Sequence, residues 1–172
     1  VAVFSRRITI MGFGSTLRKL NNIEEFNVVE ESMEIIRRES ALLIWMLQQQ
    51  LLEGIDGKGE PKTLIRTKKG KPLISPEYSE NTIREKSSMS GNAAITDRIT
   101  HYMSGSFFEE MMVVTEGKSF GIISNVEYFN DIIAHSGSGL NIMELTEENQ
   151  KLFYNDVLIP ELKIRFDARF QM

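Results

Sequence analysis

Residues 54–59 read Gly-Ile-Asp-Gly-Lys-Gly, and glycines set around a lysine are the pattern by which a loop cradles phosphate. A nucleotide loop of that kind needs a strand before it and a Gly-Lys-Ser/Thr leading into a helix. Here a strongly apolar, helix-like run precedes the glycines, and Lys58 is followed by Gly59, Glu60 and Pro61. A plain turn is the simpler reading. A calcium loop fails as well, because the oxygen ligands do not alternate along the stretch as that site requires. From Lys58 to Lys71 the chain is basic: Lys58, Lys62, Arg66, Lys68, Lys69 and Lys71 stand against Glu60. Nucleic-acid grooves interleave such charges with aromatic rings, and none occurs between Ile55 and Glu77. Three readings stay open for these six cations, namely a solvated loop, a grip on an acidic partner surface, and a direct contact with DNA. The protein contact is favoured over DNA, which makes the six a candidate partner-contact set.

The other chemistry-bearing residues are sparse. His101 and His135 are the only histidines, each placed near an aspartate, Asp97 or Asp131, that could orient it as a general base. Neither lies beside a glycine-bracketed nucleophile or a metal-ligand spacing. Ser104 in "MSGSF" lacks the flanking glycines of a nucleophile elbow. Glu109 and Glu110 fall in a stretch read as a strand, where neighbours point to opposite faces and cannot act together. The sequence therefore predicts a protein that is not an enzyme, with no catalytic, cofactor-binding or metal-binding residues and no cofactor.

Composition narrows the class further. With 172 residues, 41% hydrophobic and 26% charged, the chain has enough material for one domain with a core. A net charge of −4 argues against a general nucleic-acid binder. The absence of cysteine excludes disulfides and thiolate metal sites. The longest apolar run, "ALLIWML" at 41–47, is far short of the about 20 residues of a membrane span. Residues 1–11 place their basic residues after the apolar stretch, the reverse of a secretory signal.

The elements that must position these residues follow from periodicity. Residues 1–21 form an N-terminal arm whose first 11 residues are β-prone. Residues 22–54 read as one long helix, with Phe26, Val29, Met33, Ile36, Leu43 and Leu47 recurring at steps of three, four or seven. Ser40 interrupts that stripe. Seven consecutive apolar residues cover every face of a helix, so 41–47 is expected to be buried on all sides. Neighbouring copies are the simplest cover, which makes Leu43, Ile44, Trp45 and Leu47 candidate oligomer-interface residues. Residues 55–76 form a basic extended loop, and 77–172 the α+β remainder of a single domain. Within that remainder, 75–86 reads as a helix capped by Ser79, and 95–102 as extended. Residues 107–124 read as a β-hairpin turning at 116–118. A short helix capped by Asn125 follows, then a last helix capped by Thr146. Its stripe is Leu152, Ile159, Leu162 and Phe166, and Pro160 should kink it by removing a backbone donor. The fold class is α+β, a long N-terminal helix and a kinked C-terminal helix packed on a small antiparallel sheet, with extended arms.

Four stretches, "LLEGIDGKGEP", "YSENTIREK", "DRITHYMSGSFFEEM" and "NIMELTEENQKLFYNDVLIPEL", occur in this order. Together they resemble a family of small structural proteins of tailed bacteriophages, the virion-morphogenesis and tail-completion group. The matching positions are Gly54, Ile55, Asp56 and Gly57 after a leucine-rich helix, then Tyr78, Ser79, Thr82 and Lys86. Ser104, Gly105 and Phe107 follow, and finally Leu145, Thr146, Glu148 and Asn149. The likeness spans 42–166. Ser104 stands where the family has threonine, the connection between Gly59 and Tyr78 is longer and more basic, and residues 1–20 lie outside the match. What the resemblance implies is a non-enzymatic virion protein that forms a homo-oligomeric ring at the neck or head–tail junction. Such a ring connects portal-side and tail-side components, and packaged DNA passes through it without sequence-specific binding. It implies assembly in the host cytoplasm, residence in the virion and no membrane partner. The residues themselves leave a second reading, a DNA-binding accessory protein using 54–73. The exposed part of the long helix, the turn at 116–119 and a strand-adding arm at 1–11 are the expected contact surfaces.

Overall fold

The computed structural model describes residues 26–68 and 71–170. The expected arm at 1–21 lies outside them, with its strand-adding segment and the first residues of the expected long helix. Lys69 lies outside them too.

The described part of that helix is two helices, α1 (Val28–Arg38) and α2 (Ser40–Glu53). Asn27 caps α1 by accepting from the amide of Glu30 at 3.3 Å, and glutamates open the helix while arginines close it, as its dipole favours. The two helices meet at Glu39, whose backbone (φ −93°, ψ 16°) leaves the helical region for one residue. The Ser40 that breaks the apolar stripe is the first residue of α2. Along α2, Leu43, Met46, Leu47, Gln50 and Leu51 are buried, the spacing of one helical face. The other face is open, and Trp45 is 55% exposed. Within the chain only one face of 41–47 is buried, so the cover expected on its other side would have to come from another chain.

Residues 55–76 are not an extended loop. After a compact turn they form a two-stranded antiparallel ladder, β1 (Leu64–Lys68) with β2 (Lys71–Ser75), in the register Leu64↔Ser75 to Lys68↔Lys71. Pro72 is tolerated because each strand of a two-stranded sheet is an edge, where a missing donor faces no partner. Helix α3 (Glu80–Ser87) follows, with Ser79 accepting from the Thr82 amide at 3.1 Å as its sequence suggests. Residues 95–102, expected as extended, join no ladder and pass irregularly beneath α3.

The second hairpin begins later than expected. Residues Ser106–Glu109 form one helical turn, α4, before β3 (Met111–Glu116) pairs with β4 (Ser119–Ser124). The reason lies in Phe107 and Phe108, which are both buried and meet edge to face at 5.8 Å. Successive residues of a strand point to opposite faces, whereas a helical turn lets both rings enter one core. Glu109 and Glu110 consequently sit in and after that turn rather than across a strand, and both face solvent. Asn125 does not cap the next helix, α5 (Phe129–His135); its amide donates instead to the Glu110 carbonyl.

Thr146 caps α6 (Glu147–Phe153), accepting from the Asn149 amide at 3.3 Å. A π-helical turn (Tyr154–Leu158) then leads into α7 (Ile159–Phe170), and Pro160 sits just past that irregularity. Phe153 enters the core with Leu43, Leu47, Phe107, Met111, Ile122 and Ile142. The predicted stripe does not follow it, for Leu152, Ile159 and Phe166 are exposed. What holds α7 against α1 is largely polar. Arg165 bridges Glu31 and Glu34 at 2.6 and 2.8 Å, Arg38 pairs with Glu161 at 2.9 Å, and Phe26 packs edge-on to Phe166. The fold is α+β, with two small antiparallel sheets, and no helix among the described residues is long and apolar enough to cross a membrane.

Gln50 ties the two halves of the core together. Buried on α2, it donates to the Glu144 carbonyl at 2.8 Å, while its side-chain oxygen accepts from the Thr146 amide at 2.8 Å and from Asn149 Nδ2 at 3.3 Å. Gln50→Ala removes three part-buried bonds at once, so it should cost about 2–4 kcal/mol of stability, read as a lower urea midpoint. Gln48→Ala, which loses a single part-buried bond to the Phe108 carbonyl, should cost about 1 kcal/mol.

Candidate interaction surface

The glycine-rich turn is closed upon itself. Gly54 ends α2 in the left-handed region (φ 81°), and a Cβ there would meet Arg98 Cβ at 2.9 Å. The Asp56 carboxylate accepts from the amides of Lys58 (2.9 Å) and Glu60 (3.1 Å), and the Gly57 amide donates to the Asn141 carbonyl. A phosphate cradle needs such amides free and convergent. These are taken, and a Cβ on Gly57 would lie 2.5 Å from Glu144 Cβ, so the glycine serves close packing.

Lys62 is not a surface cation. It is 1% exposed and donates from Nζ to the Leu51 carbonyl at 2.7 Å. Burial pushes its ammonium down to about 7, against the pull of Asp56. Lys86 is likewise buried, 5.1 Å from the Tyr78 ring centroid, and donates to the Tyr102 carbonyl at 2.6 Å. Burial pushes its ammonium down too. The Tyr78 hydroxyl accepts from the amides of Thr100 and His101. Tyr78 and Lys86 thus form a latch that holds 100–102 under α3.

Neither histidine bonds to the aspartate expected to orient it. His135 Nδ1 lies 2.7 Å from the Asp131 carbonyl oxygen of its own helix, not from a carboxylate. Asp97 pairs with Arg98. His101 has φ 57° and a buried Nε2 without a partner; burial and nearby Lys62 hold it down to about 3. An imidazole that stays neutral through the physiological range at so low a pKa is a feeble proton acceptor. Among the described residues no group of three or more His, Cys, Asp or Glu could hold a metal ion.

The chemistry therefore lies on the surface. In the β1–β2 ribbon, paired residues share a face. Ile65, Thr67, Pro72 and Ile74 occupy one side, and Arg66, Leu73 and Lys71 the other. Ile74 is 64% exposed, and Lys58 and Lys71 also face solvent. Arg66 donates to the Glu77 carbonyl at the base of the ribbon. Of the six cations expected to touch a partner, Lys62 is withdrawn into the interior and Lys69 falls outside the described residues. Of the four interface residues expected on α2, Leu43 and Leu47 are 0% exposed and belong to the chain's own core, Ile44 is half-buried, and Trp45 alone is open. The outer face of the second hairpin adds Met112, Val114 and Ile123.

A groove of about 840 Å³ opens between the α1–α2 junction, β4 and the end of α6, floored by Ile36, Leu43, Ile122 and Phe153. Glu144, Glu147 and Lys151 stand along it, and a shallower depression beside it adds Glu148 and Asp156. Residues 64–67, Leu-Ile-Arg-Thr, do not alternate, so the β-branched Ile65 and Thr67 were the sequence's only sign of the ribbon there. The sequence carried none for the groove, which is assembled from distant segments. No protein-family model, curated protein or solved structure matches this chain.

The Lys62 amine sets a pH dependence. Its folded pKa of about 7 lies below the ordinary 10.5, so between those values the unfolded chain binds the extra proton and stability rises with pH. The slope is at most about 1.4 kcal/mol per pH unit. Urea titrations from pH 7 to 9 should show the rise, and Lys62→Met should flatten it. An equal slope in both proteins would mean that Lys62 ionises normally.

Proposed function

We propose that this protein is a non-enzymatic building block that assembles with copies of itself into a ring at the neck or head–tail junction of a tailed-phage virion. The observation that carries this reading is the apolar surface. Among the described residues, 17 large hydrophobic side chains are exposed, as many as form the core. Scattered exposed hydrophobics are ordinary, but such a proportion, together with two sheets of two strands each and their free edges, fits a subunit whose faces are covered on assembly. The four stretches resembling the tail-completion group support the placement. The capture of the Lys58 and Glu60 amides by Asp56 and the burial of His101 support a structural rather than a catalytic role.

A ring subunit presents two different complementary surfaces, and rotation closes the circle. In such a ring the packaged DNA passes along an axis walled by a slightly acidic chain, to which phosphates do not adhere. The second reading, DNA binding through the ribbon, draws on Arg66 and Lys71 sharing one face. Salt separates the two, since binding to phosphates weakens steeply as salt rises while apolar assembly does not.

The test is native mass spectrometry and particle imaging of the full chain over a range of concentrations, with and without its virion partners. A chain that stays monomeric under all of these conditions ends the ring reading. Trp45→Ala should change the stability of the isolated chain by about 1 kcal/mol or less, because the ring is half in solvent. The same change should weaken assembly, read as a shift towards monomer at fixed concentration. A large loss of monomer stability would place Trp45 in the core instead.

A further inference from the structure

The exposed ribbon and the acidic groove are complementary in both polarity and charge. The ribbon offers an apolar side, Ile65, Pro72 and Ile74, and a basic side with Arg66 and Lys71. The groove offers an apolar floor flanked by Glu144 and by Glu147, which pairs with Lys151 at 2.6 Å, and the depression beside it adds Glu148 and Asp156; Lys151 is the one cation among the residues lining the two. Phe120 and Tyr154 stand half-open at its edge. No residue of the ribbon lines the groove, so the chain does not cover either surface with the other. Each strand of five residues is about 17 Å long, enough to reach across a subunit boundary while its base stays anchored. That base is held by the Lys62 amide on the Gly54 carbonyl, by the Gly137 amide on the Thr63 carbonyl, and by the bridge between Leu64 and Ser136.

We infer that the β1–β2 ribbon of one copy docks into the acidic-rimmed groove of the next, with Ile74 entering the apolar floor and Lys71 facing the carboxylates. This rests on the ring reading and supplies its two unlike surfaces, one on each side of the subunit. The contact is heterologous: the ribbon never meets a ribbon, and each groove receives one ribbon. Burial of the apolar side drives association, and the charges set orientation and exclude wrong partners.

The chain has no cysteine, so the contact can be trapped. Ile74→Cys and Phe120→Cys are introduced together into the full chain; both positions are exposed, and circular dichroism checks that the fold is kept. Oxidation under assembling conditions should give a ladder on a non-reducing gel that runs beyond the dimer, while each single variant stops at the dimer. Native mass spectrometry is run on the same samples. Oligomers without a ladder overturn this inference and leave the ring reading standing. Monomer at every concentration ends both. A ladder that stops at the dimer overturns the head-to-tail order, and a bond from Cys-bearing ribbons only to a different virion protein overturns the self-contact in favour of a foreign partner. Charge reversal gives an independent reading. Lys71→Glu should weaken assembly roughly 3–10-fold, and Glu147→Lys in the same chain should restore most of the loss. Assembly unchanged by Lys71→Glu, or unrestored by the second change, counts against the pairing.

Discussion

Helix α2 ends against the body of the molecule, and the carbonyls of its last turn must find donors beyond the helix. The Gly54 amide closes back on the helix, the Lys62 ammonium donates to the Leu51 carbonyl, and Arg98 Nε donates to the Leu52 carbonyl at 2.7 Å. Each donor drags a segment with it. Lys62 returns the chain to the end of α2, where its own amide meets the Gly54 carbonyl, and this fixes where the ribbon leaves the body. Arg98 brings in the irregular strand of chain that Tyr78 and Lys86 then hold from above. Gln50, one turn earlier, fixes the start of α6 in the same way. Three distant segments are therefore registered against a single helix terminus.

A consequence is an inversion between composition and position. Two lysines and a glutamine are among the most deeply buried side chains, while Trp45, Ile74 and Ile164 are more than half exposed. Burying a lysine is costly, and its depressed pKa is the measure of that cost. The cost is sustained because an unpaired helix carbonyl in the same place would be worse, and because a long flexible amine reaches where a backbone amide cannot. The open face of α7 has a related origin. Arg165 and Arg38 hold α7 to α1 through carboxylates at the solvent edge, so its apolar stripe is free to turn outward.

Much of the fold was legible because it is written in local chemistry. Ser79 and Thr146 cap helices as side-chain oxygens ahead of polar first turns do, Gly54 stops α2, and the two-residue turn at Gly117 and Lys118 joins β3 to β4. The misreadings occur where a tertiary requirement overrides a local pattern. Phe107 and Phe108 look like strand residues and take a helical turn because both must enter one core. The basic run from Lys58 to Lys71 looks like one solvated loop, yet its members separate into a buried donor and a face of a ribbon. Nothing in the charge pattern distinguishes Lys62 from Lys71; only the position of the end of α2 does. The stripe on 41–47 concealed a similar ambiguity, for an all-apolar run is compatible with burial on any face, and Leu43 and Trp45 resolve it in opposite senses.

Several residues of the four family-like stretches point inward, while Ser104 and Glu148 face solvent. Asp56 holds amides of its own turn, Tyr78 and Lys86 hold residues 100–102, Phe107 fills the core, and Asn149 binds Gln50. Motifs of this kind specify a scaffold. They would be kept by any subunit that must end a helix in its interior, whatever its neighbours are. Trp45, the two sides of the ribbon and Ile164 lie outside those stretches, whereas the groove is lined largely by the last of them, residues 143–158. The interior polar network fixes how the ribbon is anchored and how the groove is walled, and it leaves the exposed side chains free to match a partner without disturbing the fold that presents them.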